Sequence, residues 1–504
     1  MATLTAPIAL EQRPAARRRA LATAMIRTGA GSFLSGLLSI GATKIIASVA
    51  GPAGVALLAT LQQTRQTAVI AATANGQAAL VQGISARSGL ERREYARTGL
   101  TIFAFATALI ALIMFAAPQW AARLTGLGSG RAPLVRWLAV QVVLLSAFLF
   151  LTALVNALGA IGKLAALQSV SPAVAALAMV PAALALAAGR ETLLPVVLAG
   201  AAAAAVVAAL FVLKDYRTEL RQWFGGPGRW WSREAASSFL HVSAAMLVGG
   251  LAGSAAVVAI RSRILLSQGF AAAGQFDAAW GISMNQVMLI LSSMQAYYLP
   301  ALARAHSAAE RSSQISTVLH LAALVAAPLI VIVTVAKPVM LALFYSHEFG
   351  QAATYLRWML VGDYLKISGW ILSVPMLASA DMRMYLLAEL TGYGVFVASA
   401  ALLNRWWPPA ESAAIAFVLM YVAHTVFCAA RAVTHYRYRP DRITILLWLA
   451  GLAMVSIAGL AHWDPRPLDW KSTMAWIALA LGGAGCAALG LTHLERSPLN
   501  GRRD

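Results

Sequence analysis

Seven ionisable side chains lie within long apolar stretches of this chain and are the residues best suited to chemistry. Lys44, Arg65, Arg261, Arg263 and Lys366 are basic, and Asp277 and Asp363 are acidic. A charge at bilayer depth costs several kcal/mol unless it faces water or a partner, so each needs a reason to be there. Arg65 lies about 11 residues into its helix, roughly 16 Å deep and near the midplane, beyond easy snorkelling. Its neighbours Gln62, Gln63, Gln66 and Thr67 suit a helix that lines an aqueous cavity; a buried structural network is the alternative. Asp363 and Lys366, in Gly362-Asp-Tyr-Leu-Lys366, share one helical face at i and i+3 and can pair. Either they neutralise each other, or an anionic substrate competes for Lys366 and frees Asp363 to change protonation.

Lys44 stands near the outer end of its helix and can snorkel, while Arg261 and Arg263 close the seventh helix on the outer side. Together with Arg65 and Lys366 they are expected to form a cationic vestibule that draws in a phosphate-bearing substrate. Asp277 is expected to neutralise Arg261 or Arg263, or to carry a proton; Asp277 and Asp363 are the candidate ion-coupling carboxylates. Glu389 reads as interfacial, and His241, His320 and His424 as isolated hydrogen bonders between helices.

The sequence contains no Asp-x-Asp pair, phosphate-binding loop, His-Glu-x-x-His or Gly-x-Ser-x-Gly. No catalytic residue, metal site or cofactor is expected, and the chain reads as a non-enzyme. Cys428 and Cys486 lie far apart in predicted helices, which suggests neither a disulfide framework nor a zinc site.

The elements that must position these groups follow from composition. Of 504 residues, 60% are hydrophobic and only 12% charged, which excludes a chain of soluble domains. Abundant Ala and Gly favour packed helices over a barrel. Spans of about 20 apolar residues fall at roughly 28–50, 54–82, 98–118, 135–158, 164–188 and 193–213. A second six fall at roughly 236–260, 271–300, 315–336, 355–380, 385–403 and 411–433, with two more at roughly 443–461 and 472–492. The expected fold is therefore an all-α polytopic membrane protein of about 14 helices. Its regions are a basic tail (1–22), a six-helix lobe (23–213), a linker (214–235), a second six-helix lobe (236–433), and a region of two helices and a tail (434–504).

The formal charge of +20 would suggest nucleic acid in a soluble chain, but here it sits mostly between apolar segments. It reads as orientation signal and contact with anionic membrane lipids, with no nucleic acid as partner. Arg13 to Arg19, Arg87 to Arg97, Lys163, Lys214 to Arg233, Arg304, Arg311, Arg383, Arg437 to Arg442, and Arg496 to Arg503 fall on one side. Arg123, Arg131, Arg190, Lys337, Arg405, Arg466 and Lys471 fall on the other, which makes both termini cytoplasmic. Trp120, Trp406, Trp407, Trp463 and Trp470 fit an outer aromatic belt, while Trp223, Trp230 and Trp231 lie in the linker. Gly54 to Thr60 and Gly274 to Trp280 open the second and eighth helices with a loose mutual likeness. Two bundles related by a pseudo-twofold axis along the membrane normal are expected.

Ala50 to Gln63, Gly274 to Trp280 leading to Tyr298-Leu-Pro-Ala-Leu302, and Gly362 to Trp370 resemble stretches of the O-antigen and common-antigen lipid-linked oligosaccharide flippases. These belong to the multidrug/oligosaccharidyl-lipid/polysaccharide exporter superfamily, and the resemblance spans roughly residues 25–435. It implies two six-helix lobes around a cationic cavity that opens alternately to either side in the bacterial inner membrane. The cargo it implies is an undecaprenyl-pyrophosphate-linked glycan moved to the periplasmic leaflet, with ion coupling. A polysaccharide polymerase and a chain-length regulator are the protein partners expected. The last two helices depart from the common twelve-helix form. A drug or metabolite exporter of the same superfamily is the alternative, and a membrane-embedded glycan polymerase the more distant one.

Overall fold

A computed structural model describes residues 14–303, 307–379, 381–461 and 470–496. Side chains are described from residue 41, except 161, 285–297, 299–301, 303 and 490–496. The expectations on Arg13, Arg304, Trp463, Arg466, Arg502 and Arg503, and on the side chains of Arg17 to Arg19 and Arg496, lie outside the described residues.

Helices α1 (Pro14–Ala72), α2 (Gln77–Ala86), α3 (Gly89–Ala116), α4 (Pro118–Leu124), α5 (Ala132–Ala157), α6 (Ile161–Ala187) and α7 (Leu193–Leu213) form the first group. Short α8 (Arg217–Phe224) leads into α9 (Arg233–Ala303), α10 (Ala308–Phe344), α11 (Ala352–Ala378), α12 (Met382–Leu403) and α13 (Pro409–Thr434). Helices α14 (Arg442–Ala461) and α15 (Trp470–Arg496) close the chain. Eleven helices among the described residues are long and apolar enough to cross a membrane. The protein is an all-helical integral membrane protein, and helices of this kind satisfy their own backbone groups in hydrocarbon.

Two of those helices are double-length and break at a glycine. Gly51 in α1 has φ 58° and ψ −162°, and Gly269 in α9 has φ 81° and ψ 178°, conformations that L side chains rarely adopt. Each break falls between the first and second spans expected in its half, a few residues before Gly54 and Gly274. The loose sequence likeness therefore coincides with a shared conformational device. The bent helices meet at Gly274, whose missing side chain lets the backbone of Pro52 come into contact.

Helix α1 packs on α6 and α9, and α5 on α3 and α7. In the second group α11 packs on α13, α9 and α10, while α14 and α15 lean on α10. Helix α11 is absent from the eleven spans because Arg357, Asp363 and Lys366 dilute its apolar character, yet it is buried along most of its length. Protein shields these charges from lipid.

Several loop assignments shift. Helix α3 starts at Gly89, earlier than expected, so Arg92, Arg93 and Arg97 are helical. Arg97 is buried and donates to the carbonyls of Gly228 at 2.7 Å, Gly226 at 2.8 Å, Gly225 at 2.9 Å and Phe224 at 3.2 Å. It clamps the linker that follows α8. Lys337 lies inside α10 and is buried rather than in a loop, because that helix runs on to Phe344. Trp223 is packed inside with Tyr95, Phe103, Phe150 and Phe239, whereas Trp230 and Trp231 are exposed. Trp120, Trp406, Trp407 and Trp470 are exposed, and the cysteines are unbridged.

Candidate functional site

A cavity of about 560 Å³ opens among α1, both arms of α9, α11, α12 and α13. Helix α1 contributes Gln63 and Gln66, and the first arm of α9 contributes Gly250, Gly253 and Ser254, small residues that leave room. The second arm brings Trp280 and Met284, α11 brings Lys366 and Trp370, α12 brings Tyr385, Glu389 and Tyr393, and α13 brings Tyr421 and His424. Gln63 and Thr67 bond Ser254 at 2.9 Å and 2.6 Å, stitching α1 to α9 at its edge.

Of the five basic residues expected to converge, Lys366 reaches this cavity. Its ammonium lies 3.1 Å from Met284 Sδ and 5.6 Å from the centre of the Tyr421 ring. A thioether is a weak acceptor and a ring face a partial one, so among the described residues this half-buried cation has no strong acceptor within bonding distance. Asp363, three residues earlier, is fully buried behind it and accepts from Ser283 Oγ at 2.9 Å. The two do not form the direct pair that their spacing permits; a carboxylate on the packed side of α11 is bonded to α9 instead.

The other four basic residues point elsewhere. Arg65 turns toward α5, where its guanidinium donates to Gln141 Oε1 at 3.2 Å, and Gln141 donates in turn to the Pro195 carbonyl at 2.7 Å. This is the buried-network alternative, with Gln63 and Gln66 facing the cavity in place of Arg65. Lys44 donates to the Ala342 carbonyl at 2.8 Å, tying α1 to α10. Arg261 pairs with Asp277 at 2.7 Å and donates to Gln63 Oε1 at 3.2 Å. Arg263 is exposed. The expected cationic vestibule therefore does not form in this conformation: the Ala342 carbonyl, Gln141 and Asp277 engage Lys44, Arg65 and Arg261.

Sequence reading missed Glu389 and His424 as cavity residues. Glu389 Oε1 lies 3.6 Å from His424 Nε2, with the phenols of Tyr385 and Tyr393 beside it. Glu389 was expected at the interface, but it sits about two turns inside α12 on the cavity side. The signal available was its i, i+4 spacing from Tyr385 and Tyr393, which aligns three polar groups on one face. His320 bonds Thr444 at 2.7 Å, as an interhelical bonder should, and His241 is exposed. Among the described residues no cluster of three or more His, Cys, Asp or Glu could hold a metal.

No family model matches the chain. The Lipid III flippases of Escherichia coli (strain K12) and Shigella flexneri are each 23% identical over 201 residues, which is 39% of this chain. The chain spans about half the length of these curated relatives, 47% in each case. Among solved structures, the lipid II flippase MurJ in an inward closed conformation superposes with a TM-score of 0.71 at 11% identity, covering 94% of this chain and all of that one. A MOP superfamily transporter from Pyrococcus furiosus gives 0.60 at 15% identity, covering 88% and 96%. A MATE transporter in complex with MaL6 gives 0.59 at 16%, covering 86% and 96%. The class is thus defined: the chain has the all-helical membrane fold shared by MurJ and the MATE transporters.

Proposed function

We propose that this protein is a flippase for a lipid-linked oligosaccharide. Its cargo is an undecaprenyl-pyrophosphate-linked repeat unit, moved from the cytoplasmic to the periplasmic leaflet of the inner membrane by rocking of the two helix groups. The observation that carries this reading is Lys366: a half-buried ammonium in an aromatic and amide-lined cavity, with a thioether as its nearest partner, is suited to an anionic headgroup. The partial likeness to Lipid III flippases supports a lipid-linked cargo, and O-antigen repeat units on an undecaprenyl diphosphate are the glycans proposed. Both termini are proposed to be cytoplasmic, with a polymerase and a chain-length regulator as partners and anionic lipids around the linker.

Headgroup contact narrows from five basic residues to Lys366, assisted by Gln63 and Gln66. Arg65, Arg261, Lys44 and Arg263 would join only after a rearrangement that releases their present partners or turns them inward. Coupling is proposed through Asp277 and Asp363, of which Asp277 must first leave Arg261. A second reading, export of organic cations, draws on the carboxylate of Glu389 among aromatic rings. Flipping of a fluorescent undecaprenyl-pyrophosphate glycan in proteoliposomes tests the main proposal. Wild-type protein should accelerate flipping, and Lys366→Gln should slow it at least about tenfold, the loss of one charge-assisted hydrogen bond. Wild-type vesicles indistinguishable from empty ones would overturn it.

A further inference from the structure

The cavity wall formed by α12 and α13 differs in chemistry from the Lys366 side. Glu389 keeps a quarter of its side chain exposed, and its Oε1 lies in ion-pair reach of the His424 imidazole at 3.6 Å, which leaves part of its accepting capacity turned to the cavity. Tyr385 and Tyr393 flank it at one-turn spacing. An ionised carboxylate is acceptor-only with about four lone-pair sites, so at this depth it favours a ligand that brings donors. A phosphate brings none. An organic cation would suit Glu389 but would share the cavity with the Lys366 ammonium, which lies within electrostatic reach of Glu389. A neutral ring bearing several hydroxyls satisfies both ends. Its hydroxyls can donate to Glu389 and exchange bonds with the phenols, and its C–H faces can rest on the aromatic lining, which includes Trp280 and Trp370.

From this division we infer that the α12–α13 wall reads the sugar joined directly to the diphosphate. Glu389 and Tyr393 are its specificity-determining residues, while Lys366 meets the phosphates. The inference rests on the lipid-linked glycan reading above and adds which residues tell a sugar from a bare headgroup. It also gives Tyr393 a second task. A Cβ on Gly253 would come within 2.6 Å of its ring, so this glycine is what seats the phenol at the cavity edge.

The test uses full-length protein in detergent and two soluble citronellyl diphosphates of equal charge. One carries N-acetylglucosamine on the terminal phosphate and the other a methyl group. Wild-type protein should bind the sugar-bearing probe at least about tenfold more tightly, because the methyl probe brings no donor to the cavity side of Glu389. Glu389→Gln and Tyr393→Phe should bring that ratio toward one, while Lys366→Gln should weaken both probes and preserve it. Gel filtration and thermal unfolding identify any variant that fails to fold, and Tyr393→Phe, which removes a single hydroxyl, keeps the test open if Glu389→Gln does. A wild-type ratio near one, or equal weakening of both probes by Glu389→Gln, would overturn the inference alone. Binding of neither probe would overturn the headgroup reading as well. Tetraphenylphosphonium binding that depends on Glu389 would overturn both in favour of a cation site.

Discussion

Arg261 and Asp277 meet at 2.7 Å across the Gly269 break, so one ion pair fastens the two arms of α9 to each other. The contact is a close approach of charges without hydrogen-bond alignment, and Arg261 also reaches Gln63 on α1. The pair is nearly enclosed, with 12% and 3% of the side chains exposed. Removing one member would strand the other.

Arg261→Gln or Asp277→Asn alone should therefore destabilise the protein by about 3–5 kcal/mol, while the double variant should recover much of that loss. Thermal unfolding of the purified protein in detergent measures it. Additive losses in the double variant would show that the pair does not act as a unit.

The glycine breaks should resist substitution. Gly51→Ala and Gly269→Ala place a side chain at φ 58° and 81°, at a cost of about 1–3 kcal/mol each. Gly274→Ala should be worse, since its Cβ would collide with the Pro52 backbone. Yield and unfolding midpoint report this order, and an unaffected Gly274→Ala protein would contradict the crossing.

Arg97 holds the linker through four backbone carbonyls, a geometry matched by the guanidinium fork but not by a lysine. Arg97→Lys should expose the segment after α8, so that limited trypsin digestion near Arg221 and Arg229 accelerates at least about tenfold. Unchanged cleavage would mean that packing around Trp223 suffices.

Two carboxylates at helix ends should make stability depend on acid. The hydrogen bond from Arg131 holds Glu191 below the usual carboxylate range, with burial opposing. At Asp381 burial pushes upward, but Arg431, Tyr436 and the Met384 amide together bring it lower. Both folded values lie below the unfolded ones, so the stabilisation is whole above about pH 5 and fades as pH falls through the folded values. Glu191→Gln and Asp381→Asn should be less stable than wild type near neutrality, and the difference should close in acid. A difference constant down to about pH 3 would exclude these groups as its source.

The all-helical membrane fold was legible in the sequence, because long apolar runs report membrane-spanning helices. Rotation about each helix axis was not legible. Arg65 and Gln66 are adjacent, yet about 100° of helical rotation sends one toward Gln141 and the other into the cavity. The same gap affected Asp363 and Lys366, whose spacing allows a pair that packing against Ser283 and Met284 diverts. Glu389 lies deeper than its sequence context suggests because α12 begins at Met382, and Lys337 is helical because α10 outlasts its apolar stretch.

Helix α11 has a consequence for biogenesis. A segment carrying Arg357, Asp363 and Lys366 is a poor candidate for partitioning into lipid by itself as it leaves the ribosome. Helices α9 and α10 precede it and cover part of its surface, but its burial is completed only by α13, which arrives later in synthesis. The second half of this protein therefore assembles as a cohort, and a chain truncated just after α11 should be handed to quality-control proteases rather than integrated.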